Sequence, residues 1–498
     1  MLTLLHPFAR RSAAIVTACA LTACSTLPTY HQPEAAVPTQ YAGAAAPGWS
    51  VAAPADAKPS GPWWTLFHDA ELDQLEARVD VSNQTVAKAV AQLQAARAML
   101  DYQRAGYAPT VTAGAAQSRT RLSQNVLGHS LAGQTVPDYS VGATASWEPD
   151  LFGRVKDATV YARDNAQASE ADLQAVRLSV ASDLATDYFD LRSLDRQKKL
   201  LDDSVTAYAA ALSIVQQQLR DGAIDASAVA QAQTQLESTR SQDTDIDVQR
   251  AQLQHAIATL IGMPASSFAL ASEVKSVGLP QIPTGVPSQL LERRPDIAAA
   301  ERRVAAANAQ IGEARAAYYP NLTLSATAGL ESTFFAPWLT APSLFWSLGA
   351  QLAGTLFDGG RRDASLKGAN AQYDSAVADY RQTVLTAFQQ VEDNLSTLTT
   401  LASEADSQQR ATSAAELSLK LTTNRYQAGA VSYLDVVTAQ TIALTNERTQ
   451  ELIDARRVDA SVQLLKALGG GWSRKSLDES GNAAATTSPN SPSTRPQT

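Results

Sequence analysis

Cysteine is nearly absent from this chain. Its 498 residues include two, Cys19 and Cys24, both near the start, so neither a disulfide framework nor a thiolate metal site is available to the body of the protein. Histidine is as scarce: His6, His31, His68, His129 and His255 are scattered without ligand spacing, and no metal centre is expected. No phosphate-binding loop, dinucleotide fingerprint or G-x-S-x-G elbow occurs. The constellations that carry catalysis are missing, so an enzyme is not expected and no cofactor is implied. There is also no apolar run long enough for a transmembrane helix. The formal charge is −9 and no basic cluster offsets it, which argues against a nucleic-acid partner. One more absence organises the rest: glycine and proline are missing from the whole of residues 154–221.

Large side chains fill that run at regular steps. Leu173, Val176, Val180, Leu184, Tyr188, Leu191 and Leu194, then Leu201, Val205, Tyr208, Leu212, Val215 and Leu219, alternate spacings of three and four. This is the seam of a coiled coil rather than the broader stripe of a globular surface helix. At about 1.5 Å per residue such a helix would be roughly 100 Å long, against about 11–12 residues for an ordinary helix. Abundant Ala and Gln suit many closely packed, partly wet helices. Lone carboxylates along the rods read as solvated faces.

In chain order, residues 1–23 read as a signal peptide, with Arg10 and Arg11 preceding a short apolar core. The core ends in Leu21-Thr22-Ala23-Cys24, followed by Ser25. That tetrapeptide resembles a bacterial lipobox, in which cleavage precedes Cys24 and the cysteine is acylated, for example by palmitate. The other reading is a plain small-residue cleavage site. Residues 24–62 form a Pro- and Ala-rich tether. A first helical segment, 63–108, opens on Trp63-Trp64 and Leu66-Phe67, which read as packing residues, and continues as helix over 69–105. Residues 109–148 hold two strands, 109–121 and 139–147, around an exposed loop.

Residues 149–262 form a long helical hairpin. The rod stops at Gly222, placed for the left-handed position past a helix end, and Asp225 caps the return helix. A linker, 263–294, precedes a helix within 295–319 that begins at Pro295. Strand-like stretches recur at 321–333 and 346–357, inside 320–357. A second hairpin, 358–468, has a rod at 361–428 interrupted only by Gly368 and a tip at Gly429. Residues 469–498 read as a disordered tail.

The two halves match. Ala108-Pro109 corresponds to Tyr319-Pro320, Leu151-Phe152 to Leu356-Phe357, and Gly222 to Gly429, an offset of roughly 205–211 residues. Each return leg covers about 58 Å, well short of its rod, so the helices at 69–105 and 296–317 are expected to stack end to end with the return legs. The strands have the length of tilted membrane strands. Four strands cannot close a barrel, and an open edge in lipid is not viable, so the chain is expected to oligomerise.

These segments carry a family resemblance. Trp63-Trp64-Thr65-Leu66-Phe67-His68-Asp69, Arg293-Arg294-Pro295-Asp296-Ile297, Ala307-Asn308-Ala309-Gln310-Ile311-Gly312, Leu356-Phe357-Asp358-Gly359-Gly360-Arg361 and Tyr426-Gln427-Ala428-Gly429 together resemble the TolC-like outer-membrane factors. Within them the chain looks most like the OprM-like, NodT-type efflux lipoproteins. The resemblance implies a membrane α+β fold: a homotrimer with a 12-stranded transmembrane β-barrel, four strands per chain, continued by a 12-helix periplasmic α-barrel. It implies a lipid-anchored protein spanning the outer membrane and reaching into the periplasm. The function implied is a passive exit channel for small molecules, partnered by a periplasmic adaptor and an inner-membrane pump of the RND type. Type I protein secretion is an alternative duct function, and a non-conducting structural lipoprotein is a rival outside that class.

In this family the tunnel is shut at its periplasmic tip. The resemblance places the tip at Tyr426, Asp435, Gly222 and Gly429. Asp435 either rings the pore or serves a capping box with Ser432, and Tyr426 is either a gate residue or a packing residue. The chain departs from the TolC pattern at Ala228, Val431 and Thr438, so Arg425, Asp225 and Ser227 are an alternative latch.

Overall fold

The computed structural model describes residues 26–38, 41, 62–125, 133–280, 282 and 293–472. The expected signal peptide, Cys24, most of the tether, much of the linker and nearly all of the C-terminal tail lie outside them. The chain forms two compact units that interleave in sequence. The first comprises Met1–Pro33, Leu93–Ala168 and Ala300–Tyr380, and the second Glu34–Gln92, Ser169–Ala299 and Arg381–Thr498.

The helices are α1 (Ala70–Ser82), α2 (Gln84–Ala105), α3 (Arg154–Arg220), α4 (Ala226–Leu260), α5 (Pro295–Ala316), α6 (Arg361–Gln427) and α7 (Tyr433–Ala467). The strands are β1 (Thr110–Arg121), β2 (Thr135–Trp147), β3 (Asn321–Ser332) and β4 (Leu344–Ala353). From α2 and α5 onward the halves repeat element for element: α3 and α6 have 67 residues each, α4 and α7 have 35, and α2 and α5 have 22. Both rods start at an aspartate. Asp150 accepts the Val155 and Lys156 N–H groups at 3.1 and 2.7 Å, and Asp358 accepts those of Gly360 and Arg362 at 3.0 and 3.2 Å. These bonds satisfy donors that a helix start leaves unpaired. Gly368 does not break α6.

The first unit carries one antiparallel sheet in the order β1-β2-β3-β4. The β2–β3 pairing joins the two halves of the repeat. Strand limits follow from the available partners. β4 ends at Ala353, opposite Asn321, rather than near 357, because β3 begins only after Pro320. β2 starts at Thr135 rather than 139, and includes Pro137, because β1 offers partners as far as Arg121. In the same unit, residues 26–33 are pinned to helices. Thr26 Oγ1 lies 2.9 Å from both the Phe152 carbonyl and Asp157 Oδ2, Asn308 donates to the Pro28 carbonyl at 2.9 Å, and Tyr30 donates to Glu301 at 2.5 Å.

The second unit is helical. Leu194, Leu201 and Tyr208 of the predicted seam are buried against Leu236 and Ile246 of α4 and Leu444 of α7. Leu219 is 37% exposed, so the seam stops one turn before the tip. Instead of one helix over 69–105 there are two, parted at Asn83. Its backbone is extended, its amide donates to the Leu260 carbonyl at 2.7 Å, and its Oδ1 caps Val86 N–H at 2.9 Å. One side chain thus closes the C-terminus of α4 and opens α2, and the two helices meet end to end there. In the second half Arg294 takes the same place: it donates to the Ala467 carbonyl at 3.2 Å, where α7 ends and α5 begins.

Most rod carboxylates are solvated as expected, among them Asp202, Asp203, Asp374 and Glu416, but three are not. Asp157, Asp164 and Asp195 are buried, each because a neighbouring group supplies a hydrogen bond: Thr26, Arg163 and a cluster around Arg192, respectively. Asp195 accepts from Arg192 at 2.7 Å, from Arg250 and Ser272 at 2.8 Å, and from the Glu273 N–H at 3.1 Å. Burial acts to raise its pKa, but the bonds from Arg250, Glu273, Arg192 and Ser272 hold it below the usual carboxylate range. Arg192, 1% exposed, also pairs with Glu71 and lies 5.0 Å from the centre of the Tyr188 ring. α1, α3, α4 and the segment after Phe268 are thereby tied at one point.

Removing one partner leaves the others buried and unpaired. Asp195→Ala is therefore expected to cost about 3–5 kcal/mol, read as a fall in thermal midpoint of the purified protein. Asn83→Ala should cost about 1–2 kcal/mol, and a loss as large as that of Asp195→Ala would contradict a role confined to the joint between α4 and α2.

Candidate channel wall and tip

The sheet has two chemically distinct faces. Strand neighbours alternate sides, and the register places Val111, Ala113 and Ala115 beside Ala145, Ala143 and Val141. These continue into Leu324, Ala326, Ala328 and Leu330, and then into Ala350, Leu348, Trp346 and Leu344. That face is apolar across all four strands. The opposite face carries Thr112, Thr144, Thr327 and Ser347 in one row and Ser146, Ser325 and Gly349 in another, with the Thr144 and Thr327 hydroxyls 3.2 Å apart. In a soluble sheet the apolar face would be covered. Here Leu344, Trp346, Leu348 and Leu352 are 63–75% exposed.

Aromatic rings gather at both ends of the strands. Tyr139 packs against Phe335 and Trp338 at one end. At the other, Trp147 donates to the Tyr107 carbonyl at 3.1 Å and Phe152 stacks on Tyr319 with centroids 4.9 Å apart. An apolar band between two aromatic belts is the pattern of a strand set lying in lipid.

The tip lies within the second unit. Gly222 and Gly429 both have φ of +71°, a conformation that costs any residue with a Cβ. Each closes the same double bond. Gly222 N–H donates to the Leu219 carbonyl and Ala223 N–H to that of Gln218; Gly429 N–H donates to Tyr426 and Ala430 N–H to Arg425. These are Schellman ends, so both rods stop by one mechanism.

The polar residues predicted at the tip are drawn into short local contacts. Asp225 caps α4 through the Ser227 N–H at 2.7 Å and the Ala228 N–H at 3.4 Å, and also accepts the Ser227 hydroxyl. Asp435 accepts the Ser432 N–H at 2.9 Å and its hydroxyl at 2.7 Å, completing a capping box at the start of α7. Both carboxyls are held below the usual range, first by the serine hydroxyl and then by backbone N–H groups, with Arg425 adding its positive charge at Asp435. Each stays ionised at neutral pH, and the caps weaken as pH falls through those lowered values.

Tyr426 does something else. Its hydroxyl donates to Gln218 Oε1 at 2.6 Å, and its ring meets Tyr433 edge-on at 5.5 Å. It therefore ties α6 to α3 within one chain, beside a small core of Val215, Ala232, Tyr433 and Val436. Gln218 carried no signal in the sequence; only the register of two rods far apart in the chain reveals it as a partner.

Comparison with known proteins sharpens these observations. A family model described as outer membrane efflux protein matches residues 77–263 and 286–470, one segment in each half. The chain belongs to the outer membrane efflux protein family. Outer membrane protein OprJ of Pseudomonas aeruginosa is 33% identical over 465 residues, 92% of this chain and 95% of the relative. Cation efflux system protein CusC of Escherichia coli is 31% identical over 460 residues, 91% of this chain and 97% of the relative. A solved membrane protein from Pseudomonas aeruginosa, 31% identical, matches with a TM-score of 0.84 over 91% of this chain and 98% of its own. As an outer membrane efflux protein the chain resides in the outer membrane, and the apolar face between aromatic belts is the part suited to lipid. Cys24 lies outside the described residues.

Asp225→Ala and Asp435→Ala should each speed amide hydrogen exchange several-fold in the first turn of α4 or α7 alone. Exchange spreading along the whole hairpin would mean that these carboxylates hold more than a helix start.

Proposed function

We propose that this chain is the outer-membrane exit duct of an efflux assembly, acting as a homotrimer. The sheet carries this reading: one apolar face, one polar face, and two outer edges, β1 and β4, without a strand partner among the described residues. An unpaired edge in hydrocarbon costs several kcal/mol per group. Three copies joined β4 to β1 would make a closed 12-stranded barrel with the Thr/Ser rows inside and the Leu/Trp rows toward lipid. In a trimer the two long helices of each chain, at roughly 100 Å each, supply six staves of a periplasmic tunnel and the return helices with the helices stacked on their ends supply six more, and the two-fold repeat reflects an internal duplication. A duct of this kind is passive: it has no catalytic role and needs no cofactor. Its energy comes from an inner-membrane pump, of the RND type in our reading, reached through a periplasmic adaptor. The match to a relative named for cation efflux is consistent with a small cargo.

Cys24 is the proposed acylation site. Thr26, two residues on, is fixed against Phe152 and Asp157 where β2 gives way to α3, which would set a lipid chain beside the strand ends. Palmitate labelling should be lost in Cys24→Ala while the protein still reaches the outer membrane.

The tip is the proposed gate, with Tyr426 and Asp435 as its central residues and Arg425, Asp225 and Ser227 supporting them. Tyr426 holds α6 on α3, so the double replacement Tyr426→Phe with Asp435→Ala should raise single-channel conductance several-fold in planar bilayers. Unchanged conductance would remove both residues from the gate, and a purified protein without any conductance would sink the duct itself. A deletion strain should be sensitised to small toxic compounds; loss of a secreted polypeptide instead would favour protein secretion.

A further inference from the structure

The second unit contains a cavity that the duct reading does not use. It has a volume of about 270 Å³ and lies between Trp63 and Trp64, Glu76 of α1, Arg177 and Leu178 of α3, and the turn that ends at Trp472. Glu76 is 3% exposed, and neither of its carboxyl oxygens has a hydrogen-bond partner among the described residues. The buried indole nitrogens of Trp63 and Trp472 are also unpartnered. Arg177, the one cation among the lining residues, has its guanidinium 3.1 Å from Asp80, itself a lining residue, and its Nε completes no hydrogen bond among the described residues. Gly470 permits the close approach: a Cβ there would sit 2.3 Å from Leu178 Cδ1 and 3.1 Å from Trp63 Cδ1.

Buried polar groups are ordinarily satisfied, and an orphaned carboxyl is costly. Here four such groups, one carboxyl and three N–H donors, line one aromatic-walled space. An ammonium ion is the group that a carboxylate and indole faces recognise together, and an oxygen acceptor is what the two indole N–H groups lack. We propose that this cavity is a binding site for a small organic ammonium ion that also carries an acceptor oxygen, as in choline and other amino alcohols.

The electrostatics agree. Burial, then Asp80 and Asp73, pushes Glu76 up to about 9. With the site empty at neutral pH the carboxyl holds its proton. Entry of a fixed positive charge favours the ionised form, and the proton leaves to solvent. The charged groups around it are Asp73 and Asp80 on α1 and Arg177 on α3; the turn 469–472 contributes none.

The test is calorimetric titration of the detergent-solubilised full-length protein with choline, at neutral pH in two buffers of different ionisation enthalpy. Saturable binding with release of close to one proton per site is expected, together with a change in tryptophan fluorescence. Glu76→Gln should weaken binding by roughly tenfold or more and abolish proton release, and its unaltered thermal midpoint would show that it folds. Trp472→Phe, which keeps an aromatic ring but removes the N–H, should weaken choline more than tetramethylammonium, which has no oxygen. Absence of saturable binding to the wild-type protein, as when another subunit covers the site, overturns the proposal. So does equal binding by Glu76→Gln.

Discussion

Everything about the first unit follows from the need to pair backbone N–H and C=O groups in a medium without water. Inside the sheet the need is met, residue by residue, from the Thr110–Ser146 pair to the Asn321–Ala353 pair. At the outer edges of β1 and β4 it is not met among the described residues. Hydrophobic burial cannot compensate, because the apolar face is itself uncovered. The edges and the face point to one remedy: the face meets lipid, and the edges meet other copies. The proposed trimer would close them into twelve strands, within the range of known barrels.

The helical unit answers a different constraint. A helix of 67 residues cannot be matched by a return helix of 35, so a second helix must continue the layer. A butt joint between helices exposes four carbonyls on one side and four N–H groups on the other. Asn83 serves both sides of the first joint with one amide, and Arg294 serves the carbonyl end of the second. Different residues at equivalent places answer the same geometric need, which is why the repeat is clearer in element lengths than in side chains. The Arg192–Asp195 cluster then holds that layer on the rod. Burying those charges is tolerable because both carboxyl oxygens of Asp195 and both Nη atoms of Arg192 have defined partners.

Much of this was legible in the residues. The rods were marked by missing glycine and proline together with a step of three and four, and their ends by Gly222 and Gly429. The capping roles of Asp225 and of Ser432 with Asp435 were visible as local patterns, since caps reach only three residues. The break at Asn83 was not, because the flanking stretch has good helix formers throughout and nothing local forbids one helix. What breaks it is the C-terminus of α4, far along the chain. Asp157, Asp164 and Asp195 were misread for a related reason: a carboxylate on a helix looks solvated until its partner is known, and two of those partners come from distant segments.

Short-range physics therefore lies within reach of the sequence alone: helix propensity, seam periodicity, capping and the conformational freedom of glycine in a turn. It determined the order, type and approximate length of the elements and the two-fold repeat, and it implied a chain unable to close its own sheet. Only the tertiary structure decided which face of that sheet is apolar on all four strands at once, because register between strands depends on pairings across the halves. It also decided that Tyr426 bonds Gln218, and that among the described residues Glu76 ends with no partner beside two unpaired indoles. Such contacts join residues that only folding brings within 3 Å or so of one another, and no pattern along the chain encodes that distance.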